Sequence, residues 1–156
     1  MRNQDLKSTV KVETYKINWS WNKNTEKWLR HMCKDKNILN VPCGMSRVGD
    51  VRADIDPTMK PDVVCDVHHL PFKDQSFDII VCDPPFNLYN KFKWVNRMAR
   101  VSRDILLCSP IHVPWLKGMK KSIYATIQRG NFFVRLWILY TPKNLSLDRP
   151  QVSENT

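Results

Sequence analysis

Residues 76–86 of the chain read SFDIIVCDPPF. An apolar run of the length of a buried strand leads here into an acid, two prolines and an aromatic ring. Because proline has no backbone N–H, Pro84 and Pro85 must end the strand, and they hold Asp83 and Phe86 stiffly at its carboxyl end. The sequence therefore predicts a strand that presents a carboxylate and a ring in a fixed position.

Outward from this strand, helical and strand patterns alternate. Apolar spacing predicts helices over 24–34 and 88–104 and a short helix over 113–122. Short apolar runs predict further strands within 37–44, 50–57, 62–67 and 104–110, and a final pair around a turn at Gly130. This alternation predicts an α/β fold, a Rossmann-like and mainly parallel sheet with an antiparallel C-terminal strand, flanked by helices. Only PCGMSRVGD separates the first two strands, so the first crossover helix is expected to be missing or very short.

The 156 residues are expected to form a single domain over residues 16–142, with weakly ordered polar ends at 1–15 and 143–156. No apolar run reaches membrane-spanning length and the N-terminus lacks a signal-peptide pattern, so we expect a cytoplasmic protein without a membrane partner. The five cysteines show neither a CxxC pair nor a histidine at zinc spacing. They are expected to be reduced and mostly buried, with no metal site.

Positive charge is concentrated after the DPPF stretch. Residues 1–83 contain 13 Lys/Arg and 12 Asp/Glu, whereas residues 84–147 contain 11 Lys/Arg and a single acid, Asp104. Clustered basic residues attract phosphates through the release of counterions. The asymmetry predicts a surface for nucleic acid, with a merely solvated basic surface as the alternative.

Four consecutive predicted strands end in groups that suit a nucleoside ligand. The first runs into a loop with Gly44, the second ends at Asp54 and Asp56, the third at Asp66 and the fourth at Asp83. Ligands of open parallel sheets bind beyond the carboxyl ends of the strands. A carboxylate there can accept ribose hydroxyls or the exocyclic amine of adenine. Each acid taken alone would be an ordinary cap or loop residue, but the ordered series favours a nucleoside cofactor.

The run from Ile38 to Phe86 resembles class I S-adenosylmethionine-dependent methyltransferases, most specifically in LPFKDQSFDIIVCDPPF. DPPF is similar to the [DNS]PP[YF] motif of the methyltransferases that act on exocyclic amino groups of bases. This resemblance implies S-adenosylmethionine as the cofactor, bound by Pro42, Cys43, Gly44, Asp54, Asp56, Asp66 and Val67. Asp54 or Asp56 would accept from the ribose, and Asp66 from the adenine amine. The first loop departs from the family pattern, because Asn40 and Gly44 stand where an acid and several glycines are usual.

The resemblance also implies catalytic roles for Asp83, Pro84, Pro85 and Phe86. The Asp83 carboxylate and the Pro84 carbonyl would accept the two hydrogens of a base amine, and Phe86 would stack on the base. If the target lies in a duplex, the base must be flipped out of the helix. Further candidates for substrate contacts are Asn87, Tyr89, Lys91, Lys93, His112, Trp115 and Lys117.

The predicted activity is methyl transfer to a base amine, with adenine N6 of DNA placed before an RNA base (adenine N6 or guanine N2). DNA is therefore the expected partner before RNA. One alternative is a small-molecule methyltransferase, although the basic second half of the chain argues against it. Another is a nucleic-acid-binding protein that keeps the fold without catalysis; the reduced first loop leaves this alternative open, whereas Asp54, Asp66 and Asp83 argue against it.

Overall fold

A computed structural model of the protein describes residues 20–85, 88, 94–109, 113–128 and 133–143. These residues form two α-helices, α1 (Lys23–Met32) and α2 (Val95–Val101), and a 3₁₀ turn at Pro57–Met59. The strands are β1 (Ile38–Asn40), β2 (Val51–Asp54), β3 (Val63–Val64), β4 (Phe77–Cys82), β5 (Ser102–Cys108), β6 (Met119–Gln128) and β7 (Phe133–Pro142). All seven strands join one sheet in the order β3-β2-β1-β4-β5-β7-β6.

The sheet is parallel except at β7, which runs antiparallel to both of its neighbours, β5 and β6. The prediction of a mainly parallel α/β sheet with an antiparallel C-terminal strand is thereby confirmed. Residues 41–50, all of which are described, form turns without a helix, as the short spacing between β1 and β2 predicted. Strand order reverses between β1 and β4, so the crevice beyond these two strands is the topological switch point of the sheet.

Both faces of the sheet carry an apolar core, because buried strand residues alternate between them. On one face α2 places Val95, Met98 and Val101 against Ile80, Ile105 and Tyr140, among others. On the other face α1 packs Leu29 and Cys33 with Ile79, Leu106 and Trp137. Helix α1 begins one residue before the predicted range, and its cap is Asn22, whose side chain accepts from the Thr25 N–H at 2.8 Å.

The β6–β7 hairpin is longer than the strands beside it. Its ten paired positions run from Met119 opposite Pro142 to Gln128 opposite Phe133. Since Cys108 at the end of β5 pairs with Trp137, the part of β7 before Trp137 extends past the carboxyl edge of β5. The hairpin therefore overhangs the edge at which a ligand is expected.

Two predicted elements differ from the structure. The predicted helix over 113–122 is wrong, because residues 113–118 form coil and a turn and β6 begins at Met119. Pairing with β7 along the whole strand outweighs the weak helical spacing. Among the described residues of the predicted helix over 88–104, only Val95–Val101 are α-helical, and Ser102 already belongs to β5. The turn at Gly130, the N-terminal 1–15 and the tail after Lys143 lie outside the described residues.

Candidate active site

The carboxyl edge of the sheet gathers most of the predicted site residues that the structure describes. Parallel β1, β2, β3 and β4 all end at this edge. The edge therefore brings together the loop at residues 41–44, Asp54, the turn that begins at Asp66, and Asp83 with its two prolines. The arrangement surrounds the switch point between β1 and β4, where open α/β sheets bind their ligands.

Asp83 is buried and is held by donors from three other parts of the chain. Trp21 Nε1 donates to Asp83 Oδ2 at 2.7 Å, and Arg135 Nη1 donates to the same oxygen at 2.5 Å. The Cys108 thiol is also hydrogen-bonded to this carboxylate. Burial raises the pKa of Asp83 from the ordinary value of an aspartate, while the indole, the guanidinium and the thiol oppose that rise. The result is a carboxylate of fixed orientation with only 3% of its surface exposed.

The loop after β1 is closed by Asp54. The Gly44 N–H donates to Asp54 Oδ2 at 2.8 Å, and the Asp56 N–H donates to Oδ1 at 3.0 Å. Gly44 has φ 49°, a left-handed conformation that glycine adopts without strain. The buried Cys43 completes the closure through its N–H, which donates to the Ala53 carbonyl at 2.9 Å. Both oxygens of Asp54 thus shape the loop, and its side chain is buried.

The other two acids of the predicted cofactor site lie closer to solvent. Asp56 is exposed and caps the 3₁₀ turn, accepting from the N–H and the hydroxyl of Thr58 at 2.8 and 2.7 Å. Asp66 Oδ1 accepts from the His68 N–H at 2.9 Å and lies 2.7 Å from His68 Nδ1. These contacts, the backbone one first, lower the pKa of Asp66. Its side chain is 43% exposed, so a ligand can reach the second oxygen. Val67 is buried behind it.

Asn40 ends β1 at the switch point, and its side chain carries a hydrogen-bond acceptor without a donor in the described part of the chain. Its Nδ2 donates to the Val48 carbonyl at 3.0 Å, but Oδ1 is buried and has no hydrogen-bond partner among the described residues. A buried acceptor without a donor is unfavourable and is rare in folded proteins. An incoming donor, such as an ammonium group, would satisfy it.

Some predicted substrate residues do not join this edge. Lys117 precedes Gly118 at the amino end of β6, which points away from the carboxyl edge, and Trp115 lies between β5 and β6. Phe86, Asn87, Tyr89, Lys91, Lys93 and His112 lie outside the described residues. His68 and His69 lie in the turn that follows β3.

The sequence analysis missed Arg135 and Cys108 as partners of Asp83. A signal for Arg135 was present, because it is the single charged residue in the apolar run FVRLWILY of β7. A lone charge in such a strand requires a buried partner. The partner itself could not be identified without the order of the strands.

No protein-family model and no curated protein matches the chain. In the described part of the chain, no helix has both the length and the apolar character needed to cross a membrane. The same residues contain no group of three or more His, Cys, Asp or Glu side chains placed to hold a metal ion.

Proposed function

We propose that the protein is an S-adenosylmethionine-dependent methyltransferase that acts on an exocyclic amino group of a nucleic-acid base, with adenine N6 of DNA as the first substrate to test. The observation that carries the proposal is the convergence of four strand ends on the switch point between β1 and β4. This edge carries Gly44, Asp66 and the rigid Asp83–Pro84–Pro85 end of β4. The sequence resemblance gives these residues their roles in the proposal.

The described residues at the edge fit the cofactor in chemical type. Asn40 Oδ1 is a buried acceptor without a donor, which suits the ammonium of the methionine part. Asp66 has an accessible carboxylate for the adenine amine. We assign the ribose to Asp56, because Asp56 is exposed whereas Asp54 is buried and closes the loop at Gly44. The bound cofactor would supply an electrophilic methyl group.

Asp83 would orient the base amine from a fixed position. The Asp83 carboxylate, which Trp21, Arg135 and Cys108 hold in place, would accept one hydrogen of the amine. The Pro84 carbonyl would accept the other hydrogen. The amine nitrogen then moves toward tetrahedral geometry and its lone pair becomes available for attack. Fixed placement of the two reactants accounts for much of the rate in such a transfer.

The nucleic-acid part of the proposal rests on charge. Residues 84–147 contain 11 Lys/Arg and one acid. That acid, Asp104, is paired with Lys36 at 2.7 Å. A small-molecule methyltransferase would not need this excess, whereas a polyanionic substrate is attracted by it.

A second candidate is a nucleic-acid-binding protein on the same scaffold that does not transfer methyl groups. The specific observation that favours it is that two of the acids bind other parts of the chain. Asp83 is 3% exposed and accepts hydrogen bonds from three donors, and Asp54 accepts hydrogen bonds from the backbone of the loop. In this reading the carboxylates stabilise the carboxyl edge without contacting a substrate. The two candidates share a nucleic-acid partner and differ in whether a cofactor binds.

The experiment that tests the proposal is incubation with methyl-labelled S-adenosylmethionine and, in turn, duplex DNA, single-stranded DNA and RNA, followed by digestion and identification of the labelled nucleoside. Asp83→Asn is the test variant, since it keeps the shape of the side chain and an acceptor for Trp21. The matched control is Asp104→Asn, another buried and ion-paired aspartate, which lies near the amino end of β5. We expect labelled N6-methyladenosine or its deoxy form, and a loss of about 100-fold in Asp83→Asn but not in the control.

The outcomes separate the candidates. Binding of labelled cofactor without transfer to any polymer, but with transfer to a metabolite, would favour a small-molecule enzyme. Absence of cofactor binding together with retained nucleic-acid binding would favour the non-catalytic protein. Cofactor binding is tested separately with Asp66→Asn, with Asp74→Asn as the control because its side chain is 73% exposed and lies away from the edge.

A further inference from the structure

Strand β6 is the outer strand of the sheet and carries an exposed surface of both apolar and basic residues. We define the β6 patch as Trp115, Lys117, Lys121, Ile123 and Lys143. All five side chains are exposed, Trp115 to 72% and Ile123 to 61%. The donors that hydrogen-bond to Asp83, Trp21 and Arg135, do not belong to this patch.

The register of the strands brings the patch together. Lys121 pairs with Tyr140 and Ile123 with Ile138, and both partners face the core on the α2 side of the sheet. The Tyr140 hydroxyl donates to the Pro114 carbonyl at 2.8 Å, which places the segment around Trp115 beside the same position. At the amino end of β6, the Lys143 N–H donates to the Gly118 carbonyl at 2.9 Å. This hydrogen bond brings Lys143 next to Lys117.

Trp115 is unusual among the tryptophans of the described chain. Trp21, Trp94 and Trp137 are at most 5% exposed, and Trp28 is half-buried against Tyr124 and Trp137. Lysines on an edge strand can serve only to prevent association with other strands. That role does not explain an indole with most of its surface in water beside them. A flat aromatic face flanked by lysines matches a base with its neighbouring phosphates.

Only the Ile123 end of the patch is level with the carboxyl edge, whereas Lys117 and Lys143 lie at the amino end of β6. Cys82 pairs with Leu107, Leu107 with Ile138, and Ile138 with Ile123. Ile123 therefore lies three strand spacings, about 14 Å, from the residue that precedes Asp83. A polynucleotide held on the patch can extend across the sheet to the proposed active site.

We propose that the β6 patch binds single-stranded nucleic acid, with a base stacked on Trp115 and phosphates on Lys117, Lys121 and Lys143. A single strand is the form whose base faces are open to an exposed indole, whereas bases within a duplex are already stacked on their neighbours. The proposal rests on the nucleic-acid substrate of the proposed function and names its form, but it does not depend on methyl transfer. The β6 patch would bind the polymer at nucleotides other than the target base.

The test is fluorescence anisotropy with a labelled single-stranded oligonucleotide and the matching duplex, over a series of salt concentrations. Trp115→Ala is expected to weaken binding of the single strand by about 5- to 150-fold. The double variant Lys117→Gln/Lys121→Gln is expected to reduce the slope of log affinity against log salt by about 1.4. The charge-matched control is Lys34→Gln/Lys73→Gln, two exposed lysines away from the patch, which is expected to bind as the wild type. Thermal unfolding checks that every variant is folded.

Four results would overturn the proposal. These are failure of the wild type to bind the single strand, unchanged binding by Trp115→Ala, an equal loss in the control, and tighter binding of the duplex with no dependence on Trp115. Binding to anionic phospholipid vesicles that requires the patch, with oligonucleotide binding unaffected by the same variants, would assign the patch to a membrane surface instead. Single-strand binding that depends on the patch in a protein without methyl transfer would refute the enzyme proposal alone.

Discussion

Replacing Arg135 with glutamine removes the cation that faces the buried Asp83 carboxylate. Arg135 Nη1 lies 2.5 Å from Asp83 Oδ2, with the two side chains 18% and 2% exposed. Loss of one partner from a buried ion pair costs about 3–5 kcal/mol, because the other charge remains in a medium that solvates it poorly. Arg135 is partly accessible to water, Trp21 still donates, and glutamine can contribute a hydrogen bond of about 1 kcal/mol. We therefore expect Arg135→Gln to lower the free energy of unfolding by about 2–3 kcal/mol at neutral pH.

The loss of stability in Arg135→Gln should depend on pH, and the burial of Asp83 determines the direction of that dependence. The pKa of Asp83 is raised in the folded protein, chiefly by burial, above the value of about 3.9 in the unfolded chain. The folded state thus binds the proton more tightly, so the contribution of Asp83 to stability is largest below about pH 3.9 and falls as pH rises through the folded pKa. Without Arg135 that pKa rises further. The deficit of Arg135→Gln should therefore be smaller at pH 5 than at pH 8, since a protonated Asp83 no longer needs the cation.

The assay is urea unfolding at pH 5 and pH 8, followed by tryptophan fluorescence. Trp21 and Trp137 form an edge-to-face pair with ring centroids 5.8 Å apart beside the ion pair. Arg97→Gln is the control, because this arginine is exposed on α2 and a surface charge contributes less than about 1 kcal/mol. Asp83→Asn combined with Arg135→Gln should recover part of the loss. An equal loss at both pH values, or no recovery in the double variant, would refute the argument that Arg135 acts by neutralising Asp83.

Two further predictions concern the turns and the thiols. Gly49→Ala should lower the free energy of unfolding by about 1–3 kcal/mol in a urea titration, because φ is +110° and the new Cβ would lie 3.1 Å from Asn40 Cβ. Gly118→Ala should cost only about 1 kcal/mol, because φ is +77° but no heavy atom lies within 4 Å of the new Cβ; equal losses would contradict this difference. Burial raises the pKa of Cys33 and of Cys43 to about 11, so both thiols should resist a thiol reagent at pH 8 until urea unfolds the protein. Because these folded pKa values are raised, stability should also fall between about pH 9 and pH 11, and rapid labelling of either thiol in the folded protein would show that its burial is transient.

Much of the candidate site could be predicted because its determinants are local in the chain. Each acid follows a short apolar run, and parallel strands bring their carboxyl ends to one edge of a sheet. The spacing of the first two strands likewise ruled out an ordinary crossover helix, and residues 41–50 contain none. These are consequences of chain length and strand direction, which the sequence carries directly.

The contacts of the acids could not be predicted, because they depend on long-range pairing. Asp83 receives Arg135 only because β7 inserts between β5 and β6 and overhangs the edge. Asp54 closes the loop at Gly44 only because that loop folds back over β2. The helix wrongly predicted over 113–122 has the same cause, since its residues gain more from ten paired positions with β7 than from a short isolated helix.

The position of β7 also sets the order in which the carboxyl edge can be completed. Strands β1 to β4 precede it in the chain, so on a ribosome the acids emerge long before the guanidinium that neutralises one of them. Until the hairpin docks, Asp83 faces neither Arg135 nor a closed core, and contacts between distant parts of a chain form slowly. A chain released before β7 would therefore carry the DPPF sequence and a nearly complete parallel sheet without the ion pair that fixes Asp83. The ion pair that fixes Asp83 is therefore completed only after β7, the last of the seven described strands, has been made and has docked.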